Sequence, residues 1–184
     1  SPNGARNLAI GLFLGLLLGV ALALLLEFLD DTIKTPEDVE QKLRLSVLGI
    51  IPRLGAKQSV AAAAQDLRSP FSEAYRSVRT ALQFATDHGV PRTLLLTSPG
   101  PGEGKSTSAL SLARNFAQLG KRVLLVEADM RNPSLHRSLA ATAPDKGLSS
   151  LLAGAATLQE VIVPSGEAQL DVIFAGPLPP NPAE

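Results

Sequence analysis

The residues from Leu8 to Leu26 form an unbroken run of nineteen without a charge or a polar side chain. At 1.5 Å of rise per residue, a helix over this run extends roughly 28 Å, close to the thickness of a hydrocarbon core. A core helix of a water-soluble domain is rarely apolar on every side at this length, and a secretory signal has a shorter apolar region of about 7 to 15 residues. The run therefore predicts one transmembrane helix. Gly11, Gly15, Gly19 and Ala23 recur every four residues along one face, where missing side chains let a partner helix approach closely. Lys34, Lys42 and Arg44 follow the run while only Arg6 precedes it, so the positive-inside rule places the C-terminal side in the cytoplasm.

The remainder of the 184 residues is enough for one domain and a connecting segment, and 45% hydrophobic content excludes a disordered chain. Lys plus Arg and Asp plus Glu are equal at 17 each, so no bulk positive field recruits nucleic acid, and no nucleic acid is expected as a partner. Cysteine is absent, which excludes disulfides and thiolate metal sites.

After the membrane run, Thr35-Pro36-Glu37-Asp38 reads as an N-cap, a first-turn proline and acidic residues at a helix start. Val47 to Ile51, closed by Pro52, predicts a short strand. Arg53 to Arg68 is a linker by composition, although its alanine run Ala61 to Ala64 favours helix. Ser69-Pro70 opens a stronger helix, with Phe71, Ala74, Tyr75, Val78, Leu82 and Ala85 on one apolar face. Glu73, Arg76 and Arg79 lie three apart along its flank, a spacing that serves a solvated, salt-bridged face or an interface equally well.

The chemistry concentrates in the middle of the chain. Thr93 to Thr97 predicts a strand, SPGPGEGKST turns sharply, and Ala109, Leu112, Ala113 and Phe116 mark the inner face of the helix that follows. Strand, glycine loop and helix are in the order of a P-loop. Gly100, Gly102 and Gly104 let the backbone bend and bring N–H groups to phosphate oxygens, and the helix N-terminus adds a favourable dipole. Lys105 would reach the outer phosphates and Ser106 would offer a hydroxyl to Mg2+, and Glu103, within the same loop, is counted with the nucleotide-binding residues. Pro99 stands where the strict motif has its first glycine. A phosphate loop of this kind belongs where ATP is abundant, which excludes export of the chain behind a cleaved signal at Ala21-Leu22-Ala23.

Gly120 suits a helix end, and Val123 to Val126 is a continuous apolar run of the kind found in buried parallel strands. A right-handed crossover would set this strand parallel to Thr93–Thr97 in one sheet, with Glu127 and Asp129 at its carboxyl end facing the phosphate loop. A carboxylate there can hold magnesium or take a proton from an attacking hydroxyl. The fold class expected is an α/β P-loop domain, a parallel sheet flanked by helices, preceded by one transmembrane helix.

The run VLLVEADMRNPSLH resembles the second Walker motif, A-prime, of the bacterial tyrosine autokinases of the polysaccharide co-polymerase family. SPFSEAYRSVRTAL is similar to the helix ahead of the kinase core in that family, GLSSLLAG to a segment after A-prime, and GPLPPNPAE to a proline-rich stretch before the next catalytic strand. The apolar helix followed by LEFLDDTIKTPEDVE looks like the second membrane helix and cytoplasmic exit of a co-polymerase. The resemblance implies a kinase at the bacterial inner membrane with its catalytic part in the cytoplasm. It also implies a homo-oligomeric ring in which each subunit phosphorylates tyrosines in a neighbour's tail, coupled to polysaccharide polymerase and export machinery. By the same resemblance, Lys105, Ser106 and Thr107 bind ATP and magnesium, Asp129 serves the metal, and Glu73, Arg76 and Arg79 sit at the subunit interface. Glu127 takes the place of an aspartate that activates the tyrosine hydroxyl.

The expected organisation is a membrane helix with its flanks over 1–29, a juxtamembrane segment and linker over 30–68, and a kinase domain from 69 to 184. Ser1 in place of methionine and the proline-rich run at Glu184 read as cut ends. A second magnesium-holding strand and a tyrosine cluster are then expected beyond Glu184, and the chain alone should bind nucleotide weakly and not phosphorylate itself. Two rivals use the same features: a ParA/MinD-like switch ATPase, against which the membrane helix counts, and a non-catalytic chain-length regulator.

Overall fold

The computed structural model describes residues 3–30, 32–33, 35–55, 59–66, 68–87, 89–139, 142 and 144–177. Lys34 and residues 178–184 of the proline-rich stretch lie outside them. The chain divides into two compact units, Ser1–Val47 and Leu48–Glu184.

In the first unit, α1 spans Gly4–Phe28, long and apolar enough to cross a membrane, and all its side chains are exposed. At 1.5 Å per residue its 25 residues reach about 37 Å, longer than the apolar run alone. The expected cap at Thr35 is present as a reciprocal pair. Thr35 Oγ1 accepts the N–H of Asp38 at 3.2 Å and Asp38 Oδ2 accepts the N–H of Thr35 at 2.9 Å, which satisfies two donors of the helix start. The short helix α2 (Pro36–Asp38) continues as a π turn over Val39–Leu43 and stops at Arg44, whose φ of 55° is left-handed.

The second unit contains α3 (Val60–Gln65), α4 (Pro70–Phe84), α5 (Lys105–Ala117), β1 (Val123–Val126), α6 (Leu135–Ser138), α7 (Leu148–Leu152), α8 (Leu158–Val161), β2 (Val163–Pro164) and β3 (Leu170–Ile173). The described strands form one sheet of order β1-β3-β2. β1 runs parallel to β3 with Val123 opposite Leu170 and Val126 opposite Ile173, while β2 runs antiparallel to β3 with Val163 opposite Val172.

α5 lies between two apolar clusters. Leu110, Ala113 and Ala117 pack with Leu135, Leu170, Val172 and Phe174 on the sheet side, and Leu112 and Phe116 pack with Phe71, Tyr75, Val78 and Leu82 of α4. The apolar face read for α4 is therefore buried at Phe71, Tyr75, Val78 and Leu82, while Ala74 is half-buried and Ala85 lies just past the helix end and is exposed. For α5 the four residues read as an inner face account for only part of its burial, because Leu110, Ser111 and Ala117 are buried as well. Ser69 caps α4 by accepting the N–H of Ser72 at 3.1 Å, and Ser69 and Ser72 both donate to Ala63 O. These bonds tie α3 to the start of α4, so the alanine run is an ordered helix. α5 closes at Gly120, whose φ of 75° a residue with a Cβ rarely adopts. There the Lys121 N–H reaches back to Phe116 O at 3.3 Å.

Two expected strands are absent from the described sheet. Val47–Ile51 forms no ladder; Gly49 lies so close to α4 that a Cβ there would meet Val78 Cγ2 at 2.6 Å. Thr93–Thr97 is likewise unpaired, with Leu95 86% exposed. A groove of about 720 Å³, lined by Leu94, Leu96, Leu112, Val123 and Leu125, lies between this run and β1, and the parallel neighbour of β1 in the described sheet is β3. β1 is not buried throughout: Leu124 and Val126 are 46% and 42% exposed.

Candidate nucleotide site

The loop before α5 depends on glycine at two positions. Gly102 and Gly104 have φ of 77° and 85°, left-handed values that cost a residue with a Cβ roughly 1–2 kcal/mol. A Cβ at either would meet nothing within 4 Å, so the constraint is conformational and the space around the loop is open. Gly104 is also the N-cap of α5 and supplies no side-chain cap, which leaves first-turn N–H groups available to an anion. Glu103 turns its carboxylate back into the loop and accepts the N–H of Gly100 at 3.1 Å, while Ser98 Oγ donates to Gly100 O at 2.9 Å. These bonds hold the bend at the position where Pro99 replaces the usual glycine.

Lys105, first residue of α5, donates from Nζ to Asp129 Oδ2 at 2.5 Å. The other oxygen of Asp129 accepts the N–H groups of Arg131 at 3.2 Å and Asn132 at 3.0 Å. The Lys105 hydrogen bond, followed by that from Asn132, holds the Asp129 pKa below the usual carboxylate range. A depressed folded-state pKa gives a stabilisation that is present above the unfolded value of about 3.9 and lost as pH falls through the folded value. The pair is partly exposed, so this contribution is modest. Its consequence is positional: it brings a cation and a carboxylate from two elements to the mouth of the glycine loop.

Ser106 is half-buried and its Oγ accepts from Ser134 Oγ at 2.9 Å. Thr107 is half-buried in the same turn. Glu127, at the end of β1, is only 7% exposed and accepts the backbone N–H groups of Ser134, Leu135 and Ala175. Lys105 and Asp129 are thus brought together as expected, whereas the Glu127 carboxylate is engaged with backbone. The sequence reading gave no part to Ser134. The signal for it was faint: a serine before Leu135-His136, at the start of a four-residue helix.

Glu73 is exposed, and Arg76 and Arg79 are half-buried on α4. No ion pair joins these three among the described residues, and Arg79 Nε is buried without a hydrogen-bond partner there. Tyr75, the sole tyrosine of the sequence, is 3% exposed. Its hydroxyl lies 2.8 Å from Ser108 Oγ in the first turns of α5. Burial raises its pKa, so it is a structural tie between α4 and α5.

A glycine loop leading into a helix N-terminus, with a lysine and a carboxylate at its mouth, defines the class as an α/β P-loop nucleotide-binding domain. Residues 94–175 match the CobQ/CobB/MinD/ParA nucleotide binding domain family. Over 113 residues the chain is 44% identical to tyrosine-protein kinase YwqD of Bacillus subtilis (strain 168), an alignment covering 61% of this chain and 47% of that protein. Over 164 residues it is 37% identical to the putative tyrosine-protein kinase EpsB of Ralstonia solanacearum, covering 83% and 22% respectively. The solved BceF tyrosine kinase domain superposes with a TM-score of 0.70 at 35% identity, covering 82% of this chain and 65% of that one. The chain is similar to the bacterial tyrosine kinases over the N-terminal part of their kinase domain, and it spans about half the length of YwqD and about a fifth of EpsB.

Proposed function

We propose that the full-length protein is an ATP-dependent protein-tyrosine autokinase that regulates the chain length and export of an exopolysaccharide, capsule or lipopolysaccharide. The observation that carries this reading is the Lys105–Asp129 pair at the mouth of the glycine loop, in a chain whose relatives are named tyrosine-protein kinases. In the working state Lys105 leaves Asp129 for the outer phosphate oxygens of ATP. The loop N–H groups, aided by Gly100, Gly102 and Gly104, cradle the phosphates, and Thr107 borders the same turn. Ser106 and Asp129 fit magnesium, an ion that takes one or two carboxylates and a hydroxyl alongside phosphate oxygens. Bound there, it would neutralise phosphate charge. Tyr75 is not the phosphoacceptor, because its hydroxyl is buried against Ser108.

We place the membrane helix and its flanks at 1–29, the juxtamembrane linker at 30–68 and the kinase domain from 69 onward. The protein sits in the bacterial inner membrane with the kinase part in the cytoplasm. It works as a homo-oligomeric ring beside the polysaccharide polymerase and export machinery. Glu73, Arg76 and Arg79 form the subunit contact, supported by their lack of ion pairing with each other among the described residues. Replacing all three with alanine is expected to dissociate the ring and lower trans phosphorylation together, read by light scattering and a kinase assay on one preparation. Unchanged assembly would return the stripe to a solvated face.

The activity is tested by incubating the full-length protein with ATP and magnesium, then assaying phosphotyrosine and released phosphate. Phosphotyrosine that disappears with a chelator is the expected result. Hydrolysis without phosphotyrosine would identify a ParA/MinD-like switch, which the family match to residues 94–175 favours as second reading. Neither product would identify a non-catalytic regulator.

A further inference from the structure

β1 ends at Val126, and Glu127 folds its buried carboxylate under the loop that follows. One oxygen accepts the N–H groups of Ser134 at 2.6 Å and Leu135 at 2.7 Å, and the other accepts that of Ala175 at 3.3 Å. Ser134 precedes α6 but makes no side-chain cap of its own. Glu127 instead holds the N–H groups at the entry to α6, and the Ser134 hydroxyl donates to Ser106 in the phosphate-binding turn, 2.9 Å away. Asp129 belongs to the same loop and is oriented by Arg131 and Asn132. The carboxylate that meets Lys105 and the hydroxyl that meets Ser106 therefore both hang on a segment anchored at one end by Glu127.

We propose that Glu127 is a positioning residue for the phosphate site, holding residues 128–135 so that Asp129 and Ser134 stay opposed to Lys105 and Ser106, rather than a base that takes the proton of a substrate hydroxyl. The proposal rests on the reading of the loop as a phosphate site. Oε1 of Glu127 accepts two backbone donors and Oε2 a third, so most of its acceptor capacity is spent on holding backbone. The glutamate length matters, since an aspartate carboxylate is one methylene nearer the backbone and must give up Ser134 and Leu135 or Ala175.

The test uses the full-length protein and its Glu127→Gln and Ser134→Ala variants, with magnesium-dependent binding of a fluorescent ADP analogue measured beside KM, kcat and the pH profile of phosphorylation. The amide introduced by E127Q would set N–H against N–H, so this variant is expected to weaken analogue binding and raise the KM for ATP by about tenfold, the loss of one charge-assisted hydrogen bond. Its residual kcat should keep the wild-type pH profile. S134A should reproduce part of the binding loss without a change in melting temperature, and the double variant should be no worse than E127Q. If E127Q melts early, S134A carries the test, and unchanged analogue binding by S134A would overturn the proposal. Wild-type binding by E127Q with a collapsed kcat and an altered pH profile would also overturn it and assign a base. Failure of the wild-type protein to bind the analogue would overturn the phosphate-site reading itself, and the proposal with it.

Discussion

Lys105→Met in the full-length protein is expected to reduce phosphate incorporation by on the order of a hundredfold or more, the scale seen when one preorganised charge-stabilising donor is removed. The melting curve should move little. Lys105 belongs to neither apolar cluster, and its one ion pair joins side chains 34% and 26% exposed, so its loss amounts to about 1 kcal/mol or less. Asp129 keeps its two backbone donors in the variant, and its pKa should rise because the largest cause of its depression is gone. Labelled phosphate incorporation and a thermal melt on the same sample decide the matter. Normal incorporation would remove Lys105 from the site.

Gly147→Ala is expected to destabilise the second unit by about 3 kcal/mol, the upper range for forcing an extra methyl into a packed region. A Cβ at Gly147 would lie 2.5 Å from both Gly176 N and Phe174 O and 2.6 Å from Gly176 Cα. These are backbone atoms, and they cannot swing aside as a side chain can. Relief requires parting α7 from the end of β3, which breaks the bonds from Leu148 N to Phe174 O at 2.8 Å and from Ser149 N to Ala175 O at 2.9 Å. The backbone at Gly147 is extended, so the cost is steric rather than conformational. A urea midpoint unchanged from wild type would show that this contact does not form. Ala175 also donates to Glu127, so nucleotide affinity should fall with stability.

What the sequence made legible follows local rules. The Thr35 cap, the Ser69 cap and the glycine turn into α5 each depend on neighbours within a few positions, and each is present. The apolar run from Leu8 to Leu26 needs only local sequence to form one helix, and that helix is long and apolar enough to cross a membrane. Strand pairing was less accessible, because a short apolar run does not specify its neighbour: Thr93–Thr97 and Val123–Val126 look equally strand-like, yet only the second is in the sheet, beside a strand that begins at Leu170. In the site, the approach of Lys105 to Asp129 was readable from motif order. The inward turn of Glu127 was not, since its donors are backbone groups, Ser134 and Leu135 across the following loop and Ala175 from a distant segment, and backbone donors leave no mark in residue identity.

The placement of α5 has a consequence for how the second unit comes apart. A helix with buried residues facing both an α4 cluster and a sheet cluster cannot lose either neighbour without exposing one of its own sides to water. Its amide protons are expected to exchange among the slowest of the second unit, as part of its most protected cooperative unit. The exposed stretch from Pro101 to Glu103 belongs to the least protected. The loop proposed to hold phosphate is thus expected to be a fast-exchanging segment mounted on a slow-exchanging post, able to rearrange around a ligand without loosening the structure that holds it.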